Sequence, residues 1–154
     1  MSLTTEVLAS IESSVLCWLA TIDESGSPSV SPKEVFAALG DHLVIAHIAS
    51  PGSVRNIEGN PKVCASMIDV FEQRGHKLYG MASLAWVGTD EYAAWVPPLE
   101  AITQGAYPIK AVIRVEVERI EPILAPSYFL YPDVSATDRR AATLRTYGVT
   151  DDPS

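Results

Sequence analysis

Two short stretches of this sequence carry the residue types that could hold an anion. The first is Ser31-Pro32-Lys33, where a cation follows a proline within a run of strand formers. The second, Ser50-Pro51-Gly52-Ser53-Val54-Arg55-Asn56, reads as the opening of a helix over 51–58: Ser50 suits the N-cap and Pro51 the first helical position. Gly59 suits a left-handed C-terminal position, and Pro61 stops any continuation. A helix start offers free N–H groups and the positive end of its dipole to a phosphate. Gly52 lets the backbone approach closely, Ser50 or Ser53 adds a hydroxyl, and Arg55 with Lys33 supplies charge. If the strand bearing Lys33 pairs as a hairpin with the strand that ends before Ser50, these groups converge into a phosphate site. The same spacing also describes a capped surface helix with a solvated Arg55, and spacing alone does not choose between the two.

Other chemistries find less support. His42, His47 and His76 show neither i, i+4 spacing nor Cys, Asp or Glu partners at metal-site spacing, so no metal is expected. His47 stands at a strand end near the proposed site, where it could hydrogen-bond a ligand or serve as a plain polar terminus. Cys17 and Cys64 form no C-x-x-C pair and read as reduced core residues. No nucleophile arrangement, G-x-G-x-x-G or P-loop occurs.

The elements that must position these groups follow from periodicity. Val7, Leu8 and Ile11 mark a short amphipathic helix over 4–14. Residues 15–22 are apolar on both alternating faces, the pattern of a strand covered on both sides. A second strand spans 28–37, with Pro32 marking an edge, bulge or mouth, and Gly40-Asp41 turns it into a third over 42–48. Strands over 62–70 and 76–88 form another hairpin, 91–107 reads as a loop with room for one helical turn, and 110–120 is a long half-exposed strand. Ser135 and Asp138 form an acidic capping box opening a last helix that ends at Tyr147-Gly148. Six or seven hairpin-linked strands with three short helices imply a mainly β, antiparallel barrel, in one domain over 1–154.

Composition bounds the partners. With 11 Lys+Arg against 19 Asp+Glu, the net charge of −8 argues against nucleic acid or an anionic membrane. No apolar run approaches the ~18 residues of a membrane span. The N-terminus shows no processing signal, so the expected location is cytoplasmic.

One set of segments is more specific in its order than any of its parts. Leu19-Ala20-Thr21-Ile22-Asp23, Gly26-Ser27-Pro28, Val30-Ser31-Pro32-Lys33 and Leu43-Val44-Ile45-Ala46 are followed by Ser53-Val54-Arg55-Asn56-Ile57, Asn60-Pro61-Lys62-Val63, Arg74-Gly75 and Gly80-Met81-Ala82. Across about residues 7–88 this series resembles the pyridoxamine 5′-phosphate oxidase-like FMN-binding split-barrel family. The resemblance implies an antiparallel split β-barrel in which Val30, Ser31, Pro32 and Lys33 run alongside the flavin ring and ribityl chain. It further implies that Ile45, Ala46 and His47 lie under the ring and that Ser53, Arg55 and Asn56 reach the phosphate, beside the Ser50 hydroxyl that the helix start offers. In such proteins FMN lies between two subunits of a homodimer, so Arg74 would come from the other chain.

The departures narrow the function. The true oxidases carry an Arg and His substrate motif near the chain end, whereas here Asp138-Arg139-Arg140 through Tyr147-Gly148 contains no histidine. Ser53 stands where a phosphate-binding lysine would align. The expectation is therefore an FMN-dependent oxidoreductase acting on a small-molecule substrate, with a nicotinamide donor, and not a pyridoxamine phosphate oxidase. The competing class is a non-catalytic protein that carries flavin, haem or a deazaflavin in the same barrel.

Overall fold

A computed structural model describes residues 1–150. Seven strands form one curled, wholly antiparallel sheet: β1 (Cys17–Ile22), β2 (Pro28–Lys33), β3 (Phe36–Leu39), β4 (His42–His47), β5 (Lys62–Asp69), β6 (Arg74–Trp86) and β7 (Ala111–Leu124). Their order, β2-β1-β5-β6-β7-β4-β3, puts two strands adjacent in sequence at opposite edges. The 28–37 run is therefore not one strand. It bends at Glu34-Val35, its first half pairing with β1 and its second with β4, and Ala46 N–H donates to Val35 O at 2.9 Å to hold the bend. This bent segment is the seam on which the sheet curls into a mainly β split barrel. Pro32, which lacks an N–H, lies on an edge strand, where a missing donor costs least.

The barrel interior is filled from alternate positions of the strands: Leu19, Leu43, Ile45, Met67, Leu78, Ile113 and Val115 are fully buried. Helix α1 (Thr5–Ser13) closes one end with Val7 and Ile11, and α2 (Pro51–Gly59) contributes Ile57. A second cluster covers the outer face of β4, β7 and β6, where Val44, Ala46, Ala85 and Val112 meet Val96 and Leu99. Those two residues flank and line α4 (Pro97–Thr103), which follows α3 (Asp90–Trp95). The 91–107 stretch is thus mostly helical, with two helices where a loop with one helical turn was expected: Thr89 caps α3, and Pro97-Pro98, read as breakers, occupy the first turn of α4. The half-exposed strand also runs past 120 to Leu124, carrying Pro122 opposite His76.

Two close approaches fix the sheet. Gly75 lies against the Met67 carbonyl and Gly80, at the bulge beside Tyr79, against that of Glu116, and a Cβ at either would overlap backbone. The expected cover on both sides of β1 is absent within this chain: Val15 and Trp18 are 83% and 42% exposed. Cys17 is buried, and burial pushes its thiol up to about 12, while Cys64 is only half-buried, on the outer face beside Tyr79, and not in the core. At the chain end, α5 (Ser127–Leu130) precedes α6 (Ala136–Tyr147), where Asp138 N–H donates to Ser135 Oγ, the N-cap half of the expected capping box, while Asp138 Oδ2 accepts from the Ser135 hydroxyl in place of its backbone N–H. Gly148 takes the left-handed C-cap of α6.

Candidate functional site

The seam brings Lys33 to the start of α2. Lys33 is 5% exposed, and its Nζ donates to Ser53 Oγ at 3.1 Å. The convergence comes about by a different route from the expected one, because it is β3, beyond the bend, that forms the hairpin with β4. Among the described residues no carboxylate forms an ion pair with Lys33. Burial lowers its pKa, with the Cys17 thiol opposing. A buried ammonium held by one hydroxyl is a costly arrangement unless an anion completes it.

Beside it opens a cleft of about 260 Å³ lined by Pro32, Lys33, Glu34, Val35, Ala46 and Ser50, with Ile48, Ala49 and Tyr107. Four of the expected residues therefore meet here. Ser50 sits at the N-cap of α2, but its side chain makes no capping bond, leaving the hydroxyl and the first-turn amides of a nine-residue helix uncapped. Arg55 projects into solvent from α2, without an ion pair among the described residues. Gly59 is the last helical residue, not a left-handed cap, and Asn60 follows in extended backbone.

Other expected residues lie elsewhere in this chain. Val30 is exposed on the outer face of β2, and Ile45 is sealed in the barrel core. Asn56 Nδ2 donates to Thr21 Oγ1 at 2.9 Å, tying α2 to β1. Arg74 starts β6 beside Glu72, 3.9 Å away, in a separate groove lined by residues of α1. The sequence reading missed Glu34 and Val35 as cleft residues. The signal for them was adjacency to Lys33, hidden because the bend was not foreseen.

His47 is buried at the end of β4 with its Nδ1 lacking a hydrogen-bond partner among the described residues, edge-on to Trp86 at 6.2 Å between centroids. Burial lowers its pKa, and Lys110 and Lys33 add to the effect. His76, whose Nδ1 lies 2.7 Å from Ser10 Oγ, is lowered too, by burial first. Both rings hold fewer protons folded than unfolded, so stability rises with pH through this region and is lost as pH falls below the ordinary histidine value of about 6.5. Denaturant midpoints between pH 7.5 and 5 are expected to fall, and to fall less steeply in His76→Gln than in the parent protein.

The residues 3–123 match the family profile described as pyridoxamine 5′-phosphate oxidase. The chain belongs to this family. Among solved structures, HupZ of Group A Streptococcus is similar at 27% identity and a TM-score of 0.66, over 77% of this chain and 91% of that one. An FMN-binding protein of Syntrophomonas wolfei (17% identity, TM-score 0.64, 78% of this chain and 85% of that one) shares the fold. So does HutZ, a heme storage protein of Vibrio cholerae (20%, 0.63, 80% and 95%). No curated protein matches the chain. For a member of this family the seam is a fitting cradle for an anionic cofactor: a buried cation with no ion-pair partner among the described residues and the Ser50 hydroxyl, free of any capping bond, line one cleft beside the start of α2.

Proposed function

We propose that this protein is an FMN-dependent oxidoreductase acting on a small-molecule substrate other than pyridoxamine phosphate. The single observation that carries this reading is the buried Lys33 ammonium, which has no ion-pair partner among the described residues, against the start of α2 within a pyridoxamine 5′-phosphate oxidase-family barrel. Lys33, Ser53, Ser50 and the α2 amides would hold the anionic part of the cofactor, with Arg55 adding charge from the rim. Pro32, Val35, Ala46 and Tyr107 would flank its flat portion. Bound FMN would supply hydride acceptance from a reduced donor such as a nicotinamide and electron delivery to an organic acceptor or oxygen. The chain's own part is to bind, orient and exclude water. We place it in the cytoplasm as a homodimer, with Arg74 and the exposed Val30 face turned toward the partner copy.

The reading is tested by titrating FMN into the Lys33→Ala, Arg55→Ala protein. The expected result is a dissociation constant at least 100-fold weaker, on the basis of about 1.5–3 kcal/mol for each charged hydrogen bond. Undiminished affinity would remove the site. The second reading, a carrier of flavin, haem or deazaflavin, is favoured by the fold shared with HutZ. Mixing the loaded protein with a nicotinamide donor in air separates the two: an oxidoreductase reduces and reoxidises its flavin through many cycles, and a carrier does not.

A further inference from the structure

A second cavity shares one wall with the cofactor cleft. It encloses about 420 Å³ between α1, β3 and α4, and Glu34, at the bend, lines both. Leu8, Ile11, Val15, Ile102 and the Phe36-Ala37-Ala38 stretch of β3 form its apolar part. Its polar part has one sign only: Glu12, Ser14 and Glu34 contribute two carboxylates and a hydroxyl, and no cation lines it.

The chain itself does not answer this polarity. Glu12 and Glu34 are exposed, and neither forms an ion pair among the described residues. Ser14 is only 9% exposed, and its Oγ has no hydrogen-bond partner among the described residues, a costly state for a buried hydroxyl. Helix α1 ends at Ser13 with no basic residue in its last turn, so the partial negative charge of its C-terminus stands beside Glu12 without a cation from its own helix. Lys33, next to Glu34 in the chain, donates to Ser53 and lines the other cleft.

We infer that this cavity binds a small organic cation, an ammonium group carried on an apolar body. The ammonium lies among Glu12, Glu34 and the Ser14 hydroxyl; it brings three donors and no acceptor that the site would leave unpaired. The apolar body lies against Leu8, Val15, Phe36 and Ile102. A cavity of roughly 150 Å³ takes one benzene, so about 420 Å³ admits a ring together with the short arm that bears the charge. Two carboxylates turn an anion away, which separates this site from the neighbouring cleft, and the net charge of −8 favours the approach of a cation. The inference does not depend on the flavin reading, because Glu34 is the one residue common to the two cavities.

Isothermal titration calorimetry at low salt tests it, with 2-phenylethylammonium as the probe and 2-phenylethanol as its neutral counterpart. The parent protein is expected to show one saturable site for the ammonium and to bind the alcohol at least about tenfold more weakly, since bonds from a charged donor are the stronger ones. Ser14→Ala is expected to weaken the ammonium about tenfold through the loss of one bond to a charged group. Glu12→Gln, Glu34→Gln is expected to weaken it about fivefold, both carboxylates being screened by solvent. Thermal denaturation checks folding, and both variants should melt as the parent does. Absence of a saturable site, equal affinity for ammonium and alcohol, or folded variants that bind the ammonium as tightly as the parent would each overturn the assignment.

Discussion

Lys33→Met is expected to make the cofactor-free protein more stable and to weaken FMN binding about 10- to 100-fold. The physical argument rests on an imbalance. In the chain alone, a 5%-exposed ammonium has Ser53 Oγ as its only hydrogen-bond partner among the described residues. Exchanging a buried charge for an apolar side chain of similar length removes a desolvation cost; replacing whole buried ion pairs in this way is often neutral or stabilising by about 1–4 kcal/mol. At about 2–4 °C per kcal/mol for a chain of this size, the apo protein should melt several degrees higher. FMN affinity should fall by about 10- to 100-fold from this position alone. Thermal denaturation without ligand and flavin fluorescence titration check the two halves. A Lys33→Met protein that is less stable and binds FMN as before would make Lys33 a structural residue.

Gly80→Ala and Gly75→Ala are expected to have the largest effects on folding. A Cβ at Gly80 would overlap the Glu116 carbonyl, and at Gly75 that of Met67, and in both cases the obstacle is backbone in a central strand pair. No rotamer change relieves such a clash, so β6 must separate from β7 or β5. Each variant should lose at least about 3 kcal/mol of unfolding free energy, beyond the usual range for a point change. Urea denaturation gives the number. A loss under about 1 kcal/mol would mean that the strands can part there at little cost. The resemblance had grouped Arg74-Gly75 with the cofactor site. In this chain Gly75 has a sufficient reason in strand packing alone, whatever a partner copy adds.

Much of this fold was legible because local chemistry and global topology agree. Ser50 and Ser135 mark helix starts and Pro32 an edge strand, each for a backbone reason visible in the sequence. The bend at Glu34-Val35 was not legible. Residues 34–37 carry no glycine, proline or turn pair to mark a break, and only the register with β4 reveals that the segment changes partner. The helices α3 and α4 were hidden by reading Pro97-Pro98 as breakers, although Thr89 with Asp90-Glu91 behind it is a helix-start signal.

The candidate site was legible in its main pair and less so around it. Lys33 and Ser53 carry types that only make sense near an anion or water, and they do meet. Ile45 and Asn56 share their segments, but strand alternation turns Ile45 inward, and the Asn56 amide is engaged by Thr21. The open face of β1 was misread for a different reason. Trp18 and Val15 look the same in a sequence whether a second layer of their own chain or another copy covers them.

The account's central claim, that the seam at Lys33 holds FMN, meets its most direct test in the visible absorption spectrum of the freshly purified protein. The cofactor released on denaturation is then identified by mass. A flavin spectrum and released FMN are the expected result. A Soret band with released haem would contradict it in favour of a haem carrier, and a colourless protein that also fails to bind added FMN would contradict it outright.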